Sequence, residues 1–294
     1  MTFARPLLRV ALACLALLAA ASAAAESYLW EVTSLTNRAY LFGTVHAGKP
    51  EWYPLPGAVE GAYADAKVLV VEADITNVQA MAKSVSVMTY APPDTLANHV
   101  PSADYERFRK ILARYAITEL TVAQFKPFMA VSLLVFSEWA RAGYLPQSGV
   151  DAYFIRKAKA ESKPVVELEG VEAQVRLIDS LTEAENRLIF GGTVAALESG
   201  LTRQQIDGMV DAWQVGDAKL LLQVARRYNE LVPGALDFEE KFVWSRHEEM
   251  AQKIEEYLNK SKDRHFIAVG ALHLAGPRGL VEMLRSRGYI VRQR

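Results

Sequence analysis

The chain of 294 residues is poor in cysteine and contains only Cys14, which lies in an apolar N-terminal segment. The residues beyond that segment therefore form no disulfide and supply no thiolate as nucleophile or metal ligand. A chain of this length buries enough apolar surface to fold without disulfide bonds. The sequence is therefore compatible with an oxidising compartment as well as a reducing one.

No charge of one sign dominates, because the 33 Lys and Arg residues nearly balance the 34 Asp and Glu residues and give a net charge of −1. Phosphate binding requires clustered Lys and Arg side chains, so nucleic acid is not an expected partner. Beyond the N-terminal segment no apolar run is long enough to cross a bilayer. We therefore expect no stable membrane span in the mature chain.

The N-terminal segment has the order of a secretory signal peptide. Arg5 and Arg9 stand at the start of an apolar run that continues to Ala20, and an Ala-Ser-Ala-Ala-Ala sequence follows. Cleavage after Ala23 or Ala25 fits the A-x-A rule and predicts a periplasmic or secreted protein. Removal of residues 1–25 takes two arginines and lowers the net charge to −3. A retained anchor and a lipoprotein attached through Cys14 are alternatives that fit the segment less well.

Several catalytic motifs are missing. The sequence has no Gly-x-Ser-x-Gly elbow, no phosphate-binding loop and no Gly-x-Gly-x-x-Gly. The segment His247-Glu248-Glu249-Met250-Ala251 lacks the second histidine of an H-E-x-x-H motif. These absences argue against serine esterases, nucleotide enzymes and the common metalloproteases.

Two Gly-x-x-His tetrapeptides are the most informative features present. Gly43-Thr44-Val45-His46 follows one apolar run, and Gly270-Ala271-Leu272-His273 follows another. Each reads as a strand, a turn of small residues and an imidazole. If both strands belong to one sheet, both histidines emerge at the edge where α/β proteins place their sites.

Strand patterns lie mainly at the two ends of the chain, whereas the middle has helical periodicity. The sequence predicts an α/β (α+β) fold with a central mixed sheet built from both chain ends. Residues 26–75 and 262–294 are strand-rich, and residues of about 76–260 form a mostly helical insertion with one strand at 164–168. One long helix is predicted over about 237–258. No linker separates these parts, so residues 26–294 are expected to form a single domain.

Four polar residues follow the predicted strands, namely His46, Glu72, Glu169 and His273. Two imidazoles with one or two carboxylates suffice to hold a divalent metal with an open position for water. Such a metal lowers the pKa of its bound water toward neutrality. The same residues without a metal form a general acid/base set, with a carboxylate orienting an imidazole. Both glutamates also suit a purely structural role at the start of a helix or turn.

The order of short motifs resembles that of the TraB/PrgY/GumN family, which includes the Tiki proteins. The matching pieces cover the mature chain, and the secreted context is similar to the GumN-like branch. They are Leu41-Phe42-Gly43-Thr44-Val45-His46, Val71-Glu72-Ala73-Asp74, Gly149-Val150-Asp151, Pro164-Val165-Val166-Glu167-Leu168-Glu169 and Val269-Gly270-Ala271-Leu272-His273-Leu274-Ala275-Gly276.

This resemblance implies an α/β core in which both Gly-x-x-His motifs face one cleft. Tiki-type members are divalent-metal-dependent peptidases, and erythromycin esterase, a distant relative, hydrolyses its substrate with histidines and glutamates. The family's site maps onto His46, Glu72 and His273, with Glu169 and Arg246 as additions. Arg246 matches a family Arg-Asn pair, although here His247 follows it. An arginine near a cleft binds a substrate carboxylate or an oxyanion, or forms a surface ion pair.

Three hypotheses about function follow. The first is a secreted hydrolase of a peptide or related acyl bond that uses Mn²⁺, Co²⁺ or Zn²⁺ held by His46, Glu72, His273 and Glu169. The second is an envelope accessory or metal-binding protein without turnover, for example in polysaccharide export. The third is a metal-free acid/base hydrolase similar to the esterase. The expected partner is a peptide or a small acyl substrate, and the sequence leaves the oligomeric state open.

Overall fold

A six-stranded sheet built from both chain ends supports the candidate site. The computed structural model describes residues 26–294, and the predicted signal peptide lies outside this range. Within it, the strands are β1 Leu29–Thr33, β2 Arg38–Thr44, β3 Val68–Val71, β4 Val165–Glu167, β5 His265–Gly270 and β6 Ile290–Gln293.

The strand order is β4-β3-β5-β2-β1-β6. Strands β4, β3, β5 and β2 run parallel, while β1 is antiparallel to its neighbours β2 and β6. In the pairing of β2 with β5, Tyr40 lies opposite Phe266 and Thr44 lies opposite Gly270. A strand from the C-terminal part of the chain therefore lies beside one from the N-terminal part. The predicted mixed sheet from both chain ends is therefore confirmed.

Helices surround the sheet and form most of the middle of the chain. No helix in the described range is long and apolar enough to cross a membrane. The helices are α1 Gly57–Asp65, α2 Val78–Val87, α3 Ser102–Arg114, α4 Glu119–Val122, α5 Pro127–Arg141, α6 Val150–Ala160, α7 Val171–Asp179, α8 Glu183–Ser199, α9 Leu201–Gln214, α10 Ala218–Leu231, α11 Ala235–Phe242, α12 His247–Lys260 and α13 Leu280–Ser286.

Two hydrophobic clusters hold the fold together. The first lies on the sheet, where the ring centroids of Phe42, Phe154 and Phe266 lie within 6 Å of one another. The Tyr63 ring lies within 6 Å of Phe154 and Phe266. The second lies among helices α3, α5 and α8, with Phe108 and Phe190 at its centre. A strand that is covered by helices on both faces consists of a continuous run of apolar residues, many of them β-branched or aromatic. The central strands can therefore be predicted from the sequence.

The long helix predicted over about 237–258 is wrong, because the chain breaks there into α11 and α12. Val243 leaves the helical conformation with φ −122° and ψ −69°, and a 3-10 turn over Trp244–Arg246 follows. The Trp244 indole donates a hydrogen bond of 2.5 Å to Glu239, and the Arg246 guanidinium donates one of 2.7 Å to the Phe242 carbonyl. Tertiary contacts at the break therefore override a continuous helical period.

Gly43 of the first Gly-x-x-His motif lies where β1, β2 and the turn after β5 meet. A Cβ atom at this position would come within 2.3 Å and 2.6 Å of two ring carbons of Tyr28, and within 3.0 Å of the Ala271 Cα. The Tyr28 ring is fully buried and cannot move aside cheaply. The glycine is thus required by close packing between the two chain ends.

We predict that Gly43→Ala lowers the free energy of unfolding by about 1–3 kcal/mol through overpacking. The matched control is Gly61→Ala in α1, where a Cβ atom meets nothing within 4 Å. That change should raise the stability by about 0.5–1 kcal/mol, because alanine is the better helix former. Urea denaturation of both variants tests this, and similar stabilities of the two would contradict the packing argument.

Candidate active site

The candidate site lies at the edge of the sheet where the four parallel strands end. His46 follows β2, Glu72 follows β3, Glu169 follows β4 and His273 follows β5. The backbone carbonyl of Glu72 accepts hydrogen bonds from the N–H groups of Glu169 and Gly170 at 3.1 Å and 2.9 Å. The ends of β3 and β4 are thereby fixed side by side at this edge.

Three of these side chains border the position that a Cβ atom would take at Gly270, which we call the central space. A Cβ atom at Gly270 would lie 3.3 Å from Glu72 Oε1, 3.5 Å from His273 Cδ2 and 3.9 Å from His46 Nε2. The Gly270 N–H also donates a 2.6 Å hydrogen bond to Glu72 Oε1. The structure therefore brings His46, Glu72 and His273 together around one point.

His46 is oriented by Asp151 in the first turn of α6. Its Nδ1 lies 2.9 Å from Asp151 Oδ2, and the Thr44 hydroxyl donates a 2.5 Å hydrogen bond to Oδ1 of the same carboxylate. A carboxylate only accepts, so Nδ1 carries the proton of this pair. Gly149 permits the approach, because a Cβ there would lie 2.5 Å from the His46 carbonyl oxygen.

The charge state of His46 follows from the same pair. The Asp151 carboxylate raises the pKa of His46 to about 9, against the opposing effect of burial of the ring. The side chain is nevertheless 64% exposed toward the cleft, so water screens part of this attraction. At neutral pH the imidazolium form is favoured, with a second N–H on Nε2 beside the central space.

Arg246 lies between the two glutamates rather than at the surface. Its Nε donates to Glu169 at 2.9 Å, and Nη2 donates to both Glu72, at 2.5 Å, and Glu169. Its Nη1 contacts the Phe242 carbonyl at 2.7 Å and His273 Nε2 at 3.2 Å. These contacts use all five guanidinium N–H groups, so Arg246 has none to offer a substrate carboxylate in this arrangement.

The ion-pair cluster of Arg246, Glu72 and Glu169 is largely enclosed, with 13%, 11% and 11% of the respective side chains exposed. Burial alone would raise the pKa of Glu72, but the facing His273 and Arg246 outweigh it and hold this pKa well below its usual value. Glu72 is therefore an anion throughout the physiological range, and its Oε1 borders the central space.

His273 is contacted on its other side by His247, the first residue of α12. Nε2 of His247 lies 2.9 Å from His273 Nδ1, and Nδ1 of His247 lies 2.7 Å from the carbonyl oxygen of Arg278. Both rings are buried. Burial, followed by the neighbouring His273, lowers the pKa of His247 to about 4, so this ring is neutral at neutral pH.

The predicted metal ligands do not fit a metal ion as they are arranged. Among residues 26–294 no group of three or more His, Cys, Asp or Glu side chains is placed to hold one. The guanidinium of Arg246 already neutralises the two glutamates, and Glu169 faces Arg246 instead of the imidazoles. A cation bound by these carboxylates would have to displace Arg246.

The sequence missed two residues of the site. Asp151 occurs in the Gly149-Val150-Asp151 motif of the family resemblance, but the motif carried no assigned role. The segment that begins at His247 lacks the second histidine of a metal-binding H-E-x-x-H motif, so the sequence assigns His247 no role. Yet His247 directly follows Arg246. Both residues act on an imidazole that is distant in the sequence, so neither shows a local signal.

We predict that Arg246→Met lowers the free energy of unfolding at pH 7 by roughly 3–5 kcal/mol, since it leaves two enclosed carboxylates without their cation. The control is Arg203→Met, whose exposed partner Asp207 lies one helical turn away. Its cost should be about 0–1 kcal/mol. Adding Glu169→Gln to Arg246→Met should recover part of the loss, and equal costs for the two single variants would disprove the role of the cluster.

A pH dependence of stability follows from His247. Because its pKa is about 4 in the folded protein and 6.5 ordinarily, the unfolded chain binds the proton first as the pH falls. The stability contributed by the neutral ring is complete above pH 6.5 and is lost between pH 6.5 and 4. At about 1.4 kcal/mol per pKa unit the loss is about 3 kcal/mol. Denaturation of His247→Phe should show a shallower decline over this range, and identical declines would contradict the assignment.

Comparison with known proteins agrees with the motif order. The chain is 23% identical over 269 residues to the "Uncharacterized protein YbaP" of Escherichia coli (strain K12), which covers 88% of this chain and 93% of that protein. The YbaP protein of Shigella flexneri matches to the same extent. A "Metalloprotease TIKI homolog" of Amphimedon queenslandica is 24% identical over 317 residues, covering 92% of this chain and 62% of its own length.

No solved structure gives a significant match. The family model described as "TraB/PrgY/gumN family" matches residues 28–293, which include every strand and both Gly-x-x-His motifs. The resemblance seen in the motif order is thereby confirmed, and the chain belongs to the TraB/PrgY/gumN family.

Proposed function

We propose that this protein is a hydrolase that activates water in the central space for attack on the carbonyl carbon of a peptide or related acyl bond. One observation carries the proposal: two imidazoles border the same space but are oriented by different partners. His46 is paired with the Asp151 carboxylate, whereas Nδ1 of His273 contacts the neutral ring of His247 and its Nε2 lies 3.2 Å from Arg246 and 3.6 Å from Glu72. An acid and a base of one reaction typically have such different environments.

His46 is the general acid of the proposed reaction. Its Nδ1–H is held by Asp151, and its imidazolium form has a second proton on Nε2, 3.9 Å from the position above Gly270. This proton passes to the leaving nitrogen or oxygen when the carbonyl carbon–leaving atom bond breaks. The pair resembles the carboxylate-oriented histidine of other hydrolases, but it needs no serine or cysteine nucleophile.

His273 is the general base. Nε2 lies 3.2 Å from Arg246 Nη1 and carries a lone pair that accepts this hydrogen bond, so the bond to Arg246 opens before Nε2 takes a proton from water. It removes one proton from water while the water oxygen bonds to the carbonyl carbon. Glu72, held ionised beside this space, accepts a hydrogen bond from the same water and orients it. The products are a carboxylic acid and an amine or alcohol, so all atoms and protons are accounted for.

The substrate class and compartment rest on further observations. The similarity to a relative named as a metalloprotease supports a peptide bond as the target. The signal-like residues 1–25 support a periplasmic or secreted enzyme. Arg246 supports the site by keeping Glu72 ionised, in place of the substrate-binding role suggested by the resemblance.

A metal-dependent hydrolase is the second candidate, favoured by the name of that same relative and by the donor types of His46, Glu72 and His273. It requires Arg246 to leave the carboxylates. If it is right, purified protein retains Mn²⁺, Co²⁺ or Zn²⁺ at about one ion per chain, and His46→Ala and His273→Ala both lose it. Metal content that is equal in the parent and both variants would exclude this candidate.

The acid/base proposal is tested with residues 26–294 against panels of peptides and esters, with and without chelator. We predict turnover that survives exhaustive chelation and falls by roughly 10²–10⁴-fold in His46→Gln and in His273→Gln. The control is His99→Gln, since His99 pairs with Asp94 away from the site. Hydrolysis that is unaffected by His273→Gln would refute the proposal, and absence of any turnover would favour the accessory protein.

A further inference from the structure

His247 has a contact pattern that the proposed reaction does not yet use. It stands at the helix break between α11 and α12, directly after Arg246, and its buried ring joins a backbone carbonyl to the imidazole of His273. The question is what a second buried imidazole does behind the first.

The hydrogen bonds around His247 are consistent with only one neutral tautomer. The Arg278 carbonyl at 2.7 Å can only accept, so Nδ1 of His247 carries the proton. Nε2 of the same ring is then bare and can only accept. Nδ1 of His273, at 2.9 Å, must therefore be the donor of the contact between the two rings.

The hydrogen-bond role of Nε2 of His273 follows from the proton on its Nδ1. With its proton on Nδ1, a neutral His273 has a lone pair on Nε2, and this nitrogen lies 3.2 Å from an N–H of Arg246. A donor faces an acceptor at every step from the Arg278 carbonyl to the guanidinium. The opposite tautomer would set two acceptors against each other at His247 and an Nε2–H against the Arg246 donor, with only the more distant Glu72 Oε2, at 3.6 Å, as an acceptor.

We propose that His247 is a positioning residue that fixes His273 in the Nδ1–H tautomer and thereby keeps its Nε2 as an acceptor at the central space. The catalytic meaning of this tautomer rests on the proposed hydrolase function, whereas the tautomer itself does not. Supporting residues of this kind set which ring nitrogen of a histidine is available for chemistry.

The choice of an imidazole as the partner has a physical reason. A carboxylate behind His273, such as Asp151 behind His46, would favour the imidazolium form and occupy the lone pair with a proton. A neutral imidazole accepts the Nδ1–H bond without adding negative charge to a site that already contains Glu72 and Glu169. The two histidines of the site are thus both held through Nδ1, but by partners of different charge.

The experiment is nitrogen NMR of the histidine side chains at pH 8 in the intact protein, which has five histidines in all. The signals are assigned by their loss in His247→Gln and His273→Gln. In the parent we expect both rings as Nδ1–H tautomers. In His247→Phe we expect His273 to become a mixture of tautomers, whereas His247→Gln retains an acceptor and should preserve Nδ1–H on His273.

Kinetics supply the second readout. His247→Phe should lower kcat by roughly ten- to hundred-fold with little change in KM, as for other partners that orient a functional histidine, and His247→Gln should recover most of it. The signal of His99 should be unchanged in both variants. A parent His273 with its proton on Nε2, or an unchanged His273 tautomer in His247→Phe, would overturn the proposal.

The two proposals fail separately. The tautomers are measured without any substrate, so a protein that hydrolyses nothing still tests the role of His247. Conversely, hydrolysis that depends on His46 and His273 but is accompanied by the other tautomer would leave the proposed function intact and reject the positioning role. If His247→Phe does not fold, the parent spectrum and His247→Gln still decide the matter.

Discussion

The ion-pair cluster of Arg246 with Glu72 and Glu169 is the interaction on which the site depends. Parallel strands β3 and β4 bring two glutamates to the same edge, and enclosed carboxylates at such close quarters repel each other unless a cation lies between them. The planar guanidinium suits this position because it can bond to both carboxylates at once. One residue therefore ties the ends of β3 and β4 to the helix break, and it also donates to His273.

This constraint explains the local structure around Arg246. A continuous helix through residues 237–258 would carry Arg246 past the sheet edge in the direction set by the helical period. The break at Val243 and the 3-10 turn over Trp244–Arg246 redirect the chain, so that Arg246 and His247 both reach the site. The interruption of the helix thus places Arg246 between Glu72 and Glu169, where it neutralises both carboxylates.

The strand ends could be predicted from the sequence because they depend on local patterns. Apolar β-branched runs predict β2, β3 and β5, and the rule that parallel strands share a carboxyl edge leads to His46, Glu72 and His273. The partners of these residues could not be predicted in the same way. Asp151, Arg246 and His247 reach the imidazoles across 26 or more positions of the chain, and no local periodicity encodes those contacts. The prediction of one long helix over about 237–258 is wrong for the same reason. The break in that helix is stabilised by side-chain contacts and not by a helix-breaking residue.

The position of β5 in the middle of the sheet governs when the candidate site can assemble during synthesis of the chain. Strand β5 separates β2 from β3, yet it is made more than 200 residues after β2. Until the ribosome has released nearly the whole polypeptide, the first two strands lack their common neighbour and one of the two imidazoles does not exist. Such distant pairing also favours slow folding. The order of the strands therefore delays assembly of the candidate site until nearly the whole chain has been made.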